Sequence, residues 1–336
     1  MGIDLPLIWA VIIAFGVMMY VIMDGFDLGI GILFPFVSDR QERDAMVNTV
    51  APVWDGNETW LVLGGAAMFA AFPLAYGFLL SALYLPLMFM LAGLIWRGVS
   101  FEFRFKAADR HKPFWDKAFA GGSYVATFSQ GVALGAFING FELDGTTFTG
   151  TALDCFTPFS IFTGFALMVA YALLGSTWLI MKTTDDLQRR MRDLAQWISI
   201  ALLVAIIIVS IWTPIMHPQV AARWLSFPNL FFFAPVPLLV LGVTWLHLRV
   251  LRSRAVHVAP FILALIMIFL GYTGLAISMW PYVIPPSITI WAAASTPESM
   301  GFALVGTLLI IPIILVYTSW SYYVFRGKQA VGEGYH

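Results

Sequence analysis

Charge is scarce in this sequence. Asp, Glu, Lys and Arg make up 11% of its 336 residues, against about a quarter in a water-soluble domain, so a fully hydrated surface cannot be built from them. Cysteine is scarcer still. Cys155 stands alone, which excludes an intramolecular disulfide, any Cys-x-x-Cys motif and a dicysteine copper centre within the chain. The histidines are His111, His217, His247, His257 and His336. By the apolar segmentation below, each falls in a loop, at a helix end or at the terminus, and reads as a solvated residue rather than a haem ligand facing a bundle interior, so a haem-copper core is excluded. No GxxxxGK[ST] phosphate loop and no GxGxxG turn after a strand occurs, which leaves nucleotide-driven transport unsupported. With a net charge of −1 and no basic tail, the chain also lacks the Lys and Arg clusters that neutralise nucleic-acid phosphates.

What fills the sequence instead is apolar: 60% of it is hydrophobic. A hydrocarbon core about 30 Å thick needs roughly 20 mostly apolar residues per crossing. Stretches of that length recur near 7–33, 54–73, 76–97, 118–139, 157–181, 194–216, 227–248, 258–280 and 300–325. The sequence therefore predicts an all-α polytopic membrane protein of about nine transmembrane helices, residues 1–336 forming one membrane domain, with no internal repeat. The first segment lacks a basic flank, runs long and ends in acidic residues, so it reads as a retained helix and not a cleaved signal. Its excess length predicts tilt, or emergence at Ser38, Asp39 and Arg40. The connections near 98–117, 140–156 and 281–299 are too short for a soluble domain. The last of them, apolar yet broken by Pro281, Pro285 and Pro286, is expected along the outer interface or in a protein-lined cavity.

Lys and Arg are retained on the cytoplasmic side of a membrane. With the N-terminus outside and the C-terminus cytoplasmic, seventeen of the eighteen Lys and Arg fall inside and only Arg223 falls outside. One missed or spurious helix would scramble that alternation.

A carboxylate at membrane depth costs roughly 2.5–3.5 kcal/mol, which makes it a functional candidate by default. The end of the first segment carries Asp24 and Asp27 at i, i+3, hence on one helix face. Gly25 and Gly29, a small-xxx-small pair, lie on another face, where a second helix can approach closely. The second segment opens with Asp55 and Glu58, again at i, i+3. Asp55 alternatively reads as a helix cap, which would leave Glu58, a turn deeper, unexplained. The third segment ends in Arg97 and then Glu102; Arg97 is a counter-ion candidate, or a snorkelling interfacial arginine. On the derived topology Asp24, Asp27, Asp55, Glu58 and Glu102 all fall at the cytoplasmic third. Buried carboxyls bind and release protons, so a cytoplasm-facing proton route is the functional expectation. The plainer alternative is that they mark the interface and pair with nearby arginines. At the level of the whole chain, the rivals are a proton-coupled secondary transporter and a structural membrane scaffold.

The runs Asp24-Gly-Phe-Asp-Leu-Gly-Ile-Gly31 and Ala51-Pro-Val-Trp-Asp-Gly-Asn-Glu-Thr-Trp60 resemble subunit II of cytochrome bd-type quinol oxidases. So do Phe101-Glu-Phe-Arg104 after Arg97, Pro281-Tyr-Val-Ile-Pro-Pro-Ser287 and Tyr317-Thr-Ser-Trp-Ser-Tyr322, and the likeness spans nearly the whole chain. The compact length is closer to the cyanide-insensitive branch. The resemblance implies two four-helix bundles plus one peripheral helix in a bacterial cytoplasmic (inner) membrane. It implies no haem on this chain: two haems b, one haem d and the quinol-oxidising loop belong to a homologous subunit I, against which this chain packs. A small single-helix subunit, lipid, and a structural quinone of unassigned site are further partners it allows; metal ligands are not expected here. Asp24, Asp27 and Asp55 become the leading candidates for a proton route, and Glu102 stands where the family can carry Asp.

Overall fold

The computed structural model describes residues 3–329. Helix α1 (Leu5–Leu33) opens behind Asp4, whose side chain accepts the Leu7 N–H, with Pro6 in its first turn, where a missing N–H costs nothing. A short 3-10 turn, Phe34–Phe36, ends it. Asp39 then caps a separate helix, α2 (Arg40–Asn48), so the chain after the first crossing turns into a new element rather than continuing outward. Next come α3 (Trp54–Ala71), α4 (Pro73–Ala82), α5 (Tyr84–Lys106) and α6 (Lys112–Asn139). A hairpin of β1 (Leu143–Asp144) and β2 (Thr147–Phe148) leads to α7 (Pro158–Lys182) and α8 (Asp185–Met216). The chain continues through α9 (Pro218–Leu225), α10 (Asn229–Phe233), α11 (Pro235–Leu251) and α12 (Ala259–Met279). A second hairpin, β3 (Tyr282–Ile284) with β4 (Ile288–Thr289), precedes α13 (Pro297–Val324).

Every expected apolar stretch is helical, with two breaks the hydropathy did not show. The stretch 76–97 is divided at Leu83 between α4 and α5. Pro86 has no N–H to give the Ala82 carbonyl, so the i to i−4 ladder cannot continue through this point. The stretch 227–248 is divided at Ala234, where Pro235 and Pro237 remove the corresponding donors for Phe231 and Phe233. Several helices also outrun their apolar spans. Helix α8 starts at Asp185, nine residues before 194, and α5 continues to Lys106, so much of the expected 98–117 connection is helix. Hydropathy marks where lipid ends, and a helix with a charged end projects past it. Among the described residues, seven helices are long and apolar enough to cross a membrane, while α3 and α6 fall short. Their shortfall is polarity: Asp55, Asn57 and Glu58 occupy the start of α3, and α6 carries Ser123, Thr127, Ser129 and Gln130.

Helix α1 is central. From Asp24 to Leu33 all its residues are buried, and it packs on α3, α6 and α7. Gly25 and Gly29 face α7: a Cβ on Gly25 would come 3.0 Å from the Tyr171 ring, and one on Gly29 would overlap the Tyr171 carbonyl. Helices α7, α8, α11 and α12 touch in a closed ring, α5 packs on α6, and α13 packs on α1 and α3, with Tyr322 also meeting the Trp178 ring of α7. The proline-broken stretch is protein-lined: Ile284, Ile288 and Ile290 are buried with Phe72, Ala75 and Phe78.

The basic connections meet at one end of the molecule. Arg40 bonds Asp109 and Arg190 bonds Glu42 at 2.7 Å. Lys182 donates to the Phe325 carbonyl at 2.6 Å, and Arg192 to Ser253 and Val256 carbonyls at 2.7 and 2.8 Å. Arg223 is elsewhere, donating to the Ile277 carbonyl at 2.9 Å and to that of Trp280.

Candidate functional site

A buried stripe along α5, Met90, Gly93, Leu94, Arg97, Ser100, Phe101 and Arg104, follows the i, i+3, i+4, i+7 spacing of one helix face. That face carries Arg97 inward against α1. Glycines make the seat: Gly122 of α6 lies so close that a Cβ there would be 2.8 Å from the Arg97 backbone nitrogen. The guanidinium is fully buried. Its Nη1 donates to Asp24 Oδ1 at 2.7 Å and to Glu58 Oε1 at 2.8 Å, and its Nη2 lies 3.6 Å from Asp27 Oδ2. Trp54 and Phe101, stacked 5.0 Å apart at 10°, flank the cation, whose Cζ is 6.0 and 5.6 Å from their centroids; both distances are in cation–π range.

Of the five acids that the topology assigns to the cytoplasmic third, three converge. Asp24 and Asp27 have no exposed surface, and Glu58 keeps 27% of its side chain exposed. Asp55 is exposed and stands in the first turn of α3 behind Val53, the residue at the cap position. It is therefore not the cap, although a carboxylate there suits the helix dipole. The structure does not bring Glu102 to the group: its side chain is 64% exposed and pairs with Lys106 one turn on, at 3.3 Å. Residue 102 follows the buried Phe101 and so leaves that face of α5.

Two neutral polar residues also belong to the cluster. Asn57 Nδ2 donates to Asp27 Oδ2 at 2.7 Å, and its Oδ1 accepts the Tyr322 hydroxyl proton at 2.8 Å. The Asn57 signal was its place between two acids, and that of Tyr322 was its place in an aromatic helix end; neither type is charged, so the intramembrane charge criterion passed over both. Even so, Asp24 Oδ2, Asp27 Oδ1 and Arg97 Nε have no hydrogen-bond partner among the described residues.

A second ionic group lies two turns further along α5. Arg104 bridges Asp44 Oδ1 and Asp116 Oδ1, each at 2.7 Å, and Arg43 reaches Asp116 Oδ2 at 3.1 Å. It fastens α2 to α5 and α6.

One histidine departs from the expectation. His247 is fully buried inside α11, with Nδ1 3.2 Å from Ser199 Oγ of α8. It sits within four residues of the helix end, where hydropathy places the boundary, yet α8 and α12 cover it. Among the described residues no group of three or more His, Cys, Asp or Glu is suited to a metal ion, and His336 lies outside the described residues.

The profile of the cytochrome bd terminal oxidase subunit II family matches residues 5–325. A Haemophilus influenzae protein described as a probable cytochrome oxidase subunit 2 is 30% identical over 96% of this chain and 95% of its own length. Cytochrome bd-I ubiquinol oxidase subunit 2 of Escherichia coli strain K12 is 29% identical with the same coverage. Cytochrome bd ubiquinol oxidase subunit 2 of Bacillus subtilis is 29% identical over 97% of each chain. A chain in the solved bd oxidase structure from Geobacillus thermodenitrificans shares the fold, with a TM-score of 0.77 over 96% of this chain and 99% of that one at 16% identity. By sequence over its length and by fold, the chain belongs to the cytochrome bd terminal oxidase subunit II family.

Proposed function

We propose that this chain is the haem-free subunit of a quinol:oxygen oxidoreductase in a bacterial cytoplasmic membrane. In this reading it supports a haem-bearing subunit I and takes up cytoplasmic protons for the reduction of oxygen to water. Haems b and d on subunit I supply electron transfer and the oxygen chemistry. The nine helical stretches are nine crossings, with the N-terminus outside: α1, α3, α5 and α6 form one four-helix bundle, α7, α8, α11 and α12 the other, and α13 is peripheral. The meeting of the basic connections at one end supports placing that end in the cytoplasm.

One observation carries the proton role: a single guanidinium faces three carboxyl groups at membrane depth. Fully ionised, the group would hold two uncompensated negative charges, each costing roughly 2.5–3.5 kcal/mol. Bound protons relieve that imbalance, so the group stores protons by construction. Glu58 is its one partly exposed member. Asp55, Glu58, Val62 and Phe69 share one stripe of α3, with Val62 70% and Phe69 62% exposed. Lipid would be a poor neighbour for two acids, whereas a partner subunit can supply hydrogen bonds. Subunit I is therefore placed against this stripe. Asp55 lies at the rim, Glu58 at the opening, and Asp24 and Asp27 within.

The test uses the assembled oxidase in proteoliposomes. Asp24→Asn and Glu58→Gln are expected to keep the normal haem spectrum and to slow oxygen consumption at least about tenfold, the scale of a lost proton-transfer group. Wild-type consumption in both variants would rule out the route.

A further inference from the structure

Beyond Asp24 polar groups continue along one line, Tyr20 and Tyr171 buried and Gln130 between them half-buried. Tyr20 stands one turn before Asp24 on α1 and is 5% exposed. Its hydroxyl accepts a 2.6 Å hydrogen bond from Gln130 Nε2 of α6. Gln130 Oε1 in turn accepts the hydroxyl proton of Tyr171 on α7 at 3.0 Å. Past Tyr171 the packing closes: a Cβ on Gly131 would lie 2.6 Å from the Thr163 carbonyl of α7, and the Phe128 ring fills the space at Gly164.

Two unmet demands face each other at the other end of this line. Asp24 Oδ2, fully buried, has no donor among the described residues. The Tyr20 hydroxyl gives a lone pair to Gln130 and keeps its own proton to donate. Tyr20 and Asp24, four residues apart, lie on one face of α1. The Gln130 amide is oriented to match. With its nitrogen on Tyr20, the phenol proton is free to face the carboxylate; the flipped amide would draw the proton away from it.

An amide does not continue a proton relay. Its nitrogen holds its protons and its oxygen is a very weak base, so a proton arriving at Tyr20 has no acceptor to pass to at Gln130. We propose that Tyr20 is a positioning donor for Asp24, directly or through one water, and that Gln130 closes the inner end of the acid cluster to protons. Asp24 then exchanges its proton only through the side of Arg97 and Glu58. The proposal rests on the proton-uptake reading above, and gives this subunit a half-channel that ends inside the bundle instead of a path across the membrane.

Infrared difference spectra of the assembled oxidase test it, using the carboxyl band that disappears in Asp24→Asn. Tyr20→Phe is expected to shift that band and to move the midpoint of the pH profile of oxygen consumption by about one unit, the worth of a hydrogen bond to a charged group. Gln130→Leu is expected to shift the band as well, and it stands in for Tyr20→Phe if that variant loses its haem. Tyr171→Phe, which keeps the ring against Gly25, is expected to leave consumption within about twofold. A band unmoved by both Tyr20→Phe and Gln130→Leu overturns the positioning role. Consumption slowed in Tyr171→Phe as far as in Asp24→Asn overturns the closure, because protons would then be passing Gln130. If Asp24→Asn itself consumes oxygen at the wild-type rate, the uptake reading is what fails, and the band still decides the role of Tyr20.

Discussion

Helix α5 carries two buried arginines seven residues apart, Arg97 and Arg104, and their surroundings differ in one respect that matters. Arg104 pairs with Asp44 and Asp116, and Arg43 also pairs with Asp116: two cations meet two carboxylates, and the group is neutral with every member ionised. Arg97 alone faces Asp24, Asp27 and Glu58. Both groups link α5 to its neighbours through nearly identical distances, so geometry does not separate them. Charge balance does. A balanced group gains nothing by taking up a proton and serves as a fastening; an unbalanced one at membrane depth is driven to hold protons.

The sharpest way to break this contrast is to remove each cation. In Arg97→Met, three carboxyl groups lose the one cation that pairs with them among the described residues. Breaking a buried pair from one side costs about 3–5 kcal/mol, comparable to much of a domain's stability. The expected outcome is an oxidase that does not assemble, read as loss of the haem d and haem b bands from membranes that still synthesise the chain. Arg97→Lys keeps the charge and loses the planar fork that serves Asp24 and Asp27 through different nitrogens, so partial assembly is expected. Full assembly of Arg97→Met would mean that the acids rest protonated without help from the guanidinium.

Arg104→Met tests the balanced group. Asp44 is 37% exposed and Arg43 remains on Asp116, so water and a second cation take up part of the loss. A cost of about 1–3 kcal/mol follows from leaving a part-buried acceptor unsatisfied. The expected reading is a lower yield and a lower melting temperature of the complex, with oxygen consumption per haem unchanged. A reduced rate per haem at normal haem content would erase the distinction between the two arginines.

How far the sequence alone reaches is visible in the same two groups. Asp24, Asp27, Glu58 and Arg97 were legible because an ionisable residue inside an apolar run is costly and therefore conspicuous. Gly25 and Gly29 were legible because helical spacing separates their face from the acids, and the overlap with Tyr171 shows what that face meets. Asn57, Tyr322, Tyr20 and Gln130 were not, since a neutral polar residue in a membrane helix has an ordinary hydropathy penalty and its partner comes from a distant part of the chain. Arg104 and Asp116 looked like loop charges, because the helix extends past the apolar stretch that announces it. The breaks at Leu83 and Ala234 were written in Pro86 and Pro235, but a window averaged over hydropathy smooths across a missing N–H. His247 was hidden by position: four residues from a helix end, its burial depends on α8 and α12, which only the fold brings there.

The smallest expected effect falls on the acid that looked equivalent and is not. Glu102 lies on the same helix as both arginines, but its side chain is 64% exposed and its partner Lys106 is 80% exposed. An exposed i, i+4 pair is worth about 0.3–0.5 kcal/mol and is screened by salt. Glu102→Gln is therefore expected to leave oxygen consumption within about twofold of wild type, with an unchanged haem spectrum. Glu58→Gln, one carboxyl changed in the same way but inside the unbalanced group, is expected to slow it at least about tenfold. Measured side by side in one membrane preparation, the two variants compare equal chemistry in unequal surroundings. If Glu102→Gln slows consumption as far as Glu58→Gln does, then subunit I turns the outer face of α5 into part of the route, and charge balance within this chain no longer predicts which acids handle protons.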